Sequence, residues 1–208
     1  MRRDQRIRKR ILDQARTLFF RKGYRKVSVD EIASSISISK KTIYKHFRSK
    51  KEILEETFGL YKENITEDIN RILENQDLSF PEKLKMVLSS IGVNLGGMNA
   101  ILFRDIQEYV PDLWDKIRTY KYEAAYLRFN RLIEEGRKYG YIKKEVNRAV
   151  VVVLYASAIE YLLDPVFIKN LPEELNHEIP SLAIDVFDNA IKIIYEGILT
   201  PETINSMK

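Results

Sequence analysis

SVDEIASSISISKKTIYKHF, residues 28–47, reads as two short helices around a tight turn, with cations leading the second. Ser28 followed three residues later by Glu31 is the reciprocal capping pair that opens a helix. That helix carries Ile32, Ala33 and Ile36 at helical spacing, then meets Ser37, Ile38 and Ser39. Ser39 is a good N-cap for a second helix, because its hydroxyl can accept from a backbone N–H left unpaired in the first turn. The apolar stripe of that second helix is Ile43 and Phe47. Its other face holds Lys40, Lys41, Thr42, Tyr44, Lys45 and His46, all donors or phosphate partners. A short helix of this kind suits the major groove of double-stranded DNA, whose base edges present acceptors.

Outward from this stretch the periodicity stays helical. Ile7, Ile11, Ala15, Leu18 and Phe19 predict an amphipathic helix over about 4–22, closed by Gly23. Ser49-Lys50-Lys51-Glu52 repeats the capping arrangement and starts a long helix to about Glu74. Pro81 in the first turn opens the next, which runs to Gly96-Gly97. Further helices are predicted over 98–109, about 111–138, 146–163 and 181–197, with Leu171-Pro172 and His177 to Pro180 read as connector. No alternating strand pattern, repeat or low-complexity tract occurs. The expected fold is all-α, about nine helices. Residues 1–50 form a three-helix DNA-binding domain of the helix-turn-helix type, and 51–208 a larger helical domain.

Charge is distributed to match. Residues 1–51 hold 17 Lys and Arg against 4 Asp and Glu, a net of +13. The remainder holds 18 against 26, a net of −8. A basic quarter on an acidic remainder points to a polyanion partner for that quarter alone. With no cysteine there are no disulfides, thiolate ligands or thiol nucleophiles, a composition compatible with the cytoplasm. Arg2 and Arg3 are not followed by an apolar segment, so a signal peptide is not expected. The most apolar run, 149–163, is 15 residues long and contains Glu160. A membrane span needs roughly 20, so no membrane partner is expected.

Catalytic and metal-binding patterns are absent from the sequence. His46 and His177 are the only histidines and stand far apart without a carboxylate cluster. No G-x-S-x-G elbow exists, and Gly96-Gly97 lacks the spacing of a phosphate loop. Neither a metal nor a cofactor is expected.

The chain resembles the TetR-type transcriptional regulators. The matching residues run from Phe19 through Gly23-Tyr24, Ser28-Val29-Asp30-Glu31-Ile32-Ala33, Ser39-Lys40-Lys41-Thr42-Ile43-Tyr44, His46-Phe47, Ser49-Lys50 and Glu52, without a gap. They cover about the first quarter of the chain. The family usually has glycine where Ser37 stands, because that turn residue tends toward positive φ, and alanine where Ile36 stands. The resemblance implies DNA contact by Thr42, Tyr44, Lys45, His46 and Lys50, with Tyr44, His46 and Lys50 on phosphates. Lys40 and Lys41 occupy the variable base-reading places, where lysine suits guanine acceptors. Ser28 and Ser39 lie at helix N-termini, where a hydroxyl or backbone N–H can meet a phosphate. The cluster Arg2, Arg3, Arg6, Arg8, Lys9 and Arg10 reads either as an arm along the DNA or as a solvated terminus.

For the larger domain the resemblance implies a pocket for a small-molecule effector and a homodimer. Phe103, Tyr109, Trp114, Tyr122, Tyr126 and Tyr155 are the candidate pocket aromatics, suggesting a flat or apolar effector. The competing reading is that these rings fill the core. Glu160 pairs across an interface, contacts a cationic effector, or lies on an exposed stripe. Val152, Ala156, Ile159, Phe187, Ile191 and Ile194 are candidates for an apolar dimer seam on the helices near 146–163 and 181–197. The function expected is that of a ligand-responsive repressor on a palindromic operator. An interaction module whose basic head binds RNA or acidic proteins is the alternative.

Overall fold

A computed structural model describes residues 3–96, 100–162, 165–180, 185, 189, 192–193 and 200–207. Eleven helices lie within the described residues. They are α1 (Arg3–Lys22), α2 (Val29–Ser35), α3 (Lys40–Tyr44), α4 (Lys50–Glu74), α5 (Phe80–Gly96), α6 (Ala100–Tyr109), α7 (Pro111–Lys138), α8 (Arg148–Leu162), α9 (Pro165–Lys169), α10 (Glu173–Glu178) and α11 (Pro201–Ser206). The fold is all-α, and no described helix is long and apolar enough to cross a membrane.

The helix starts follow the capping chemistry. The Ser28 hydroxyl accepts from Glu31 N at 3.0 Å, and the Ser39 hydroxyl from Thr42 N at 3.1 Å. Ser49 accepts from Glu52 N at 3.1 Å, while the Glu52 carboxylate takes the N–H of Arg48, one residue further back than the reciprocal pattern requires. At α5, Glu82 accepts from both the backbone N–H and the hydroxyl of Ser79, at 2.8 and 2.6 Å. Each contact satisfies a donor that the helix itself leaves unpaired.

Two short helices stand between the helices expected over 146–163 and 181–197: α9, and α10 beside the residues read as connector. At five and six residues they are too short to show an apolar period, and Pro165 and Pro172 look like breakers while serving as helix starts. Of the helix expected over 181–197, only residues 185, 189, 192 and 193 are described, each helical, and the rest lies outside the described residues.

The chain divides into two compact units. One comprises Met1–Asn64 with Gly97–Lys116, the other Ile65–Gly96 with Ile117–Lys208. The first is built on a core of Ile11, Leu12, Ala15, Leu18 and Phe19 from α1, Ile32 and Ala33 from α2, Ile43 and Phe47 around α3, and Ile53 and Leu54 from α4. Ile11, Phe19, Ile32, Ile43, Ile53 and Leu54 are fully buried, so the 28–47 stretch is locked onto α1 and α4 by its apolar side. Burying each such side chain is worth about 1.5–3 kcal/mol. The second unit packs Ile69, Leu73, Leu84, Val87, Leu88, Phe129, Leu132 and Ile133. Phe80 stacks on Tyr141 with centroids 5.1 Å apart.

Candidate nucleic-acid interface

The turn between α2 and α3 has a specific backbone. Ile36 N and Ile38 N both donate to Ala33 O, at 3.3 and 3.0 Å, and Ser37 N donates to Ser34 O at 3.1 Å. Ser37 itself has φ +56°, a left-handed conformation that costs a non-glycine residue about 1–2 kcal/mol. Arg10, from the basic N-terminal cluster, donates to Ile36 O at 2.9 Å and so ties the turn to α1. Arg8 pairs with Glu56, and its guanidinium lies 5.2 Å from the Phe47 ring centroid. From Arg3 onward this cluster is helical, and two of its members brace the head.

With Ile43 and Phe47 buried, α3 turns its remaining side chains outward. Ser39, Lys40, Lys41, Tyr44 and Lys45 are exposed, and Thr42 and His46 are half-buried. Ser28, at the start of α2, is also exposed. The Thr42 hydroxyl lies 2.9 Å from that of Ser39. Lys40 pairs with Asp30 at 2.7 Å, and this carboxylate raises the lysine's pKa. The pair is exposed and therefore weak, so Lys40 can leave it for another anion. Among the described residues the ammonium groups of Lys41 and Lys45 have no carboxylate partner.

Lys50 has a different environment. Its ammonium donates to Tyr24 O and Val27 O, both at 3.0 Å, and sits 4.1 Å from the Tyr24 ring centroid. Burial pushes its pKa down, and burial likewise pushes the Tyr24 phenol up. Lys50 thus closes the loop between α1 and α2. The same loop is held from α6: Asp105, buried, accepts from Arg25 N at 2.7 Å. Gly23 makes that approach possible, because with φ +85° a Cβ there would stand 2.7 Å from an Asp105 carboxylate oxygen. Neither contact was visible in the sequence, since the partners are 23, 26 and 80 positions apart. The one local signal was an acid at position 105 on the apolar face with Leu102 and Ile106.

The candidate effector residues are divided between the units. Phe103 and Trp114 meet edge to face with centroids 6.2 Å apart, in the first unit. Tyr109, also there, is 43% exposed and carries the Arg25 guanidinium 5.6 Å from its ring centroid. Tyr122 and Tyr126, in the second unit, are exposed on α7. The side chains of Tyr155 and Glu160 lie outside the described residues, as do those of Ala156 and Ile159 and the whole of Phe187, Ile191 and Ile194. Of the seam candidates, Val152 is buried within its own unit. Among the described residues, the large apolar side chains that α8 leaves exposed are Val150, Val153, Leu154 and Tyr161. At 100° per residue these four fall on one face, with Val151 and Val152 turned inward.

An exposed basic helix held by its apolar side, after a left-handed turn, is the geometry of a helix-turn-helix. Residues 11–57 match the family model of bacterial regulatory proteins of the TetR family. Over that segment, the head of the chain is similar to the TetR family. It is 24% identical over 195 residues to YvaF, an HTH-type transcriptional regulator of Bacillus subtilis, covering 93% of this chain and 96% of that one. Over 48 residues it is 48% identical to IcaR, the HTH-type negative transcriptional regulator of the biofilm operon icaADBC in Staphylococcus aureus. That match covers 23% of this chain and 26% of IcaR. Among solved structures, SmeT, the repressor of the Stenotrophomonas maltophilia multidrug efflux pump SmeDEF, superposes with a TM-score of 0.66. It covers 94% of this chain and 92% of its own at 15% identity, a likeness of fold.

Proposed function

We propose that the protein is a homodimeric repressor that reads a palindromic operator and leaves it when a small molecule binds the helical region. The observation that carries the DNA half is the exposed face of α3, where Lys41 and Lys45 stand uncompensated beside Tyr44. In this reading Lys41 takes base acceptors in the major groove, with Lys40 beside it once released from Asp30. Ser28, Ser39, Thr42, Tyr44, Lys45 and His46 hold the phosphates. Lys50 acts on DNA through the loop it closes, and its remaining N–H bond is available to a phosphate. Working on operator DNA places the protein in the cytoplasm.

IcaR and SmeT are described as a negative regulator and a repressor, which supports repression as the mode. The exposed apolar stripe on α8 supports a dimer, because a second copy would remove Val150, Val153, Leu154 and Tyr161 from water. Selection from a random duplex library tests the reading. The expected product is a two-fold sequence whose half-sites are about one helical turn apart. The Lys41→Ala variant should keep binding but relax the preference at particular bases. Recovery of no sequence preference would leave a basic module that binds any polyanion.

A further inference from the structure

We propose that Asp30, on α2, is a base-reading residue that accepts from a cytosine amino group while Lys40 takes the guanine of the same base pair. The inference rests on the DNA reading above and assigns that site a further residue, from a second helix. Asp30 is the second residue of α2 and Lys40 the first of α3, and their side chains meet at 2.7 Å across the turn. Both stay open to solvent, with 65% of the Asp30 side chain and 49% of the Lys40 side chain exposed.

The two acids at the start of α2 diverge. Glu31 turns back to α1, where it pairs with Lys22 at 2.5 Å, and its N–H donates to the Ser28 hydroxyl. It supplies the negative charge that a helix start favours and braces α2 against α1. Asp30 turns the other way, onto the helix that exposes Lys41, Tyr44 and Lys45. An exposed carboxylate on a face that meets a polyanion is repelled by the phosphates near it. The Lys40 ammonium offsets that repulsion only while the two are paired.

Reading guanine takes Lys40 out of the pair and leaves the Asp30 carboxylate in need of a donor. The major groove offers two, the amino groups of cytosine and adenine. A G·C pair presents guanine N7 and O6 as adjoining acceptors with the cytosine amino group beside them. An A·T pair instead places the adenine amino group between its two acceptors. A lysine and an aspartate that start in contact therefore match G·C. The ammonium moves onto N7 and O6, and the carboxylate onto the neighbouring cytosine N4–H. Each side chain trades the other for a base partner of the right polarity, so neither is left uncompensated in the groove. A G·C pair in the reverse orientation sets the carboxylate against an acceptor and is rejected.

The test measures the full-length protein on the operator recovered by selection, and on duplexes in which each half-site base pair is replaced in turn by the other three. At one position the wild type should bind the G·C form about tenfold more tightly than the others. Asp30→Ala should lose most of that ratio, at that position alone. Asp30→Asn should move the preference there towards adenine, whose N6 and N7 an amide reads with two hydrogen bonds. Lys40→Ala should lessen the preference at the same base pair, and the double variant should lose less than the two single losses combined. Unchanged thermal midpoints distinguish a lost base contact from a weakened helix start. The proposal is overturned if the Asp30 variants change affinity for every duplex by one common factor, which would make Asp30 a charge or a brace. It is equally overturned if Asp30 and Lys40 act at separate base pairs. A wild type without any sequence preference would remove the DNA reading itself, and the inference with it.

Discussion

Ser37 and Lys50 show how far single side chains decide the head. Ser37 adopts φ +56° at the turn where the family places glycine, so the strain anticipated from one residue type is present in the backbone. Ser37→Gly should relieve part of a cost of about 1–2 kcal/mol, set against the greater freedom of glycine in the unfolded chain. The expected net gain is about 0.5 kcal/mol, read as a higher thermal midpoint with operator affinity unchanged; a loss of stability would contradict the strain. Lys50→Ala leaves Tyr24 O and Val27 O without their donor and should cost about 1–3 kcal/mol. Denaturant unfolding measures that loss, and DNA affinity should fall with it. The caps at Ser28, Ser39 and Ser49 were legible in the sequence because each bond spans three residues. The Lys50 clamp was not, because the chain must first fold back to bring residue 24 or 27 to residue 50.

The same distinction between local and distant partners governs whole elements. The long helices α1, α4, α5 and α7 announce themselves through stripes repeated over several turns, while α9 and α10 are shorter than the period needed to see one. Which side of a helix faces out needs its neighbours, and for this reason the exposed apolar stripe of α8 includes Leu154 and Tyr161, while Val152, which the sequence suggested for a seam, is buried. Leu154→Arg should give monomers in sedimentation at micromolar concentration, with folding intact because Leu154 is 62% exposed. A persistent dimer would place the interface elsewhere. Ion pairs also join elements within the first unit. Lys22 lowers the pKa of Glu31 between α1 and α2, and Lys51 lowers that of Asp112 between α4 and α7. A depressed carboxylate stabilises the fold above its unfolded pKa and loses that contribution as pH falls through the folded value. Stability should therefore be flat near neutrality and decline below about pH 4.5. The Glu31→Gln, Asp112→Asn double variant should show a shallower acid decline, and an identical profile would mean that the pairs contribute nothing.

At the scale of the molecule, charge and symmetry combine into one measurable quantity. The first 51 residues carry +13 and the rest −8, so attraction to DNA is confined to the head while the remainder is repelled. Each phosphate neutralised by a lysine releases counterions and adds about 0.9 to the slope of log K against log salt. A dimer on a two-fold site presents every contact twice. Lys45→Ala should then lower that slope by nearly 2, not 1, and weaken specific and scrambled duplexes alike. Lys41→Ala should change the slope much less and instead narrow the gap between the selected operator and its scrambled form, by about 1–3 kcal/mol per base pair misread. A slope change near 1 for Lys45→Ala would mean that only one head engages at a time. No change would take Lys45 off the phosphates and leave Tyr44 and His46 as the contacts to test next.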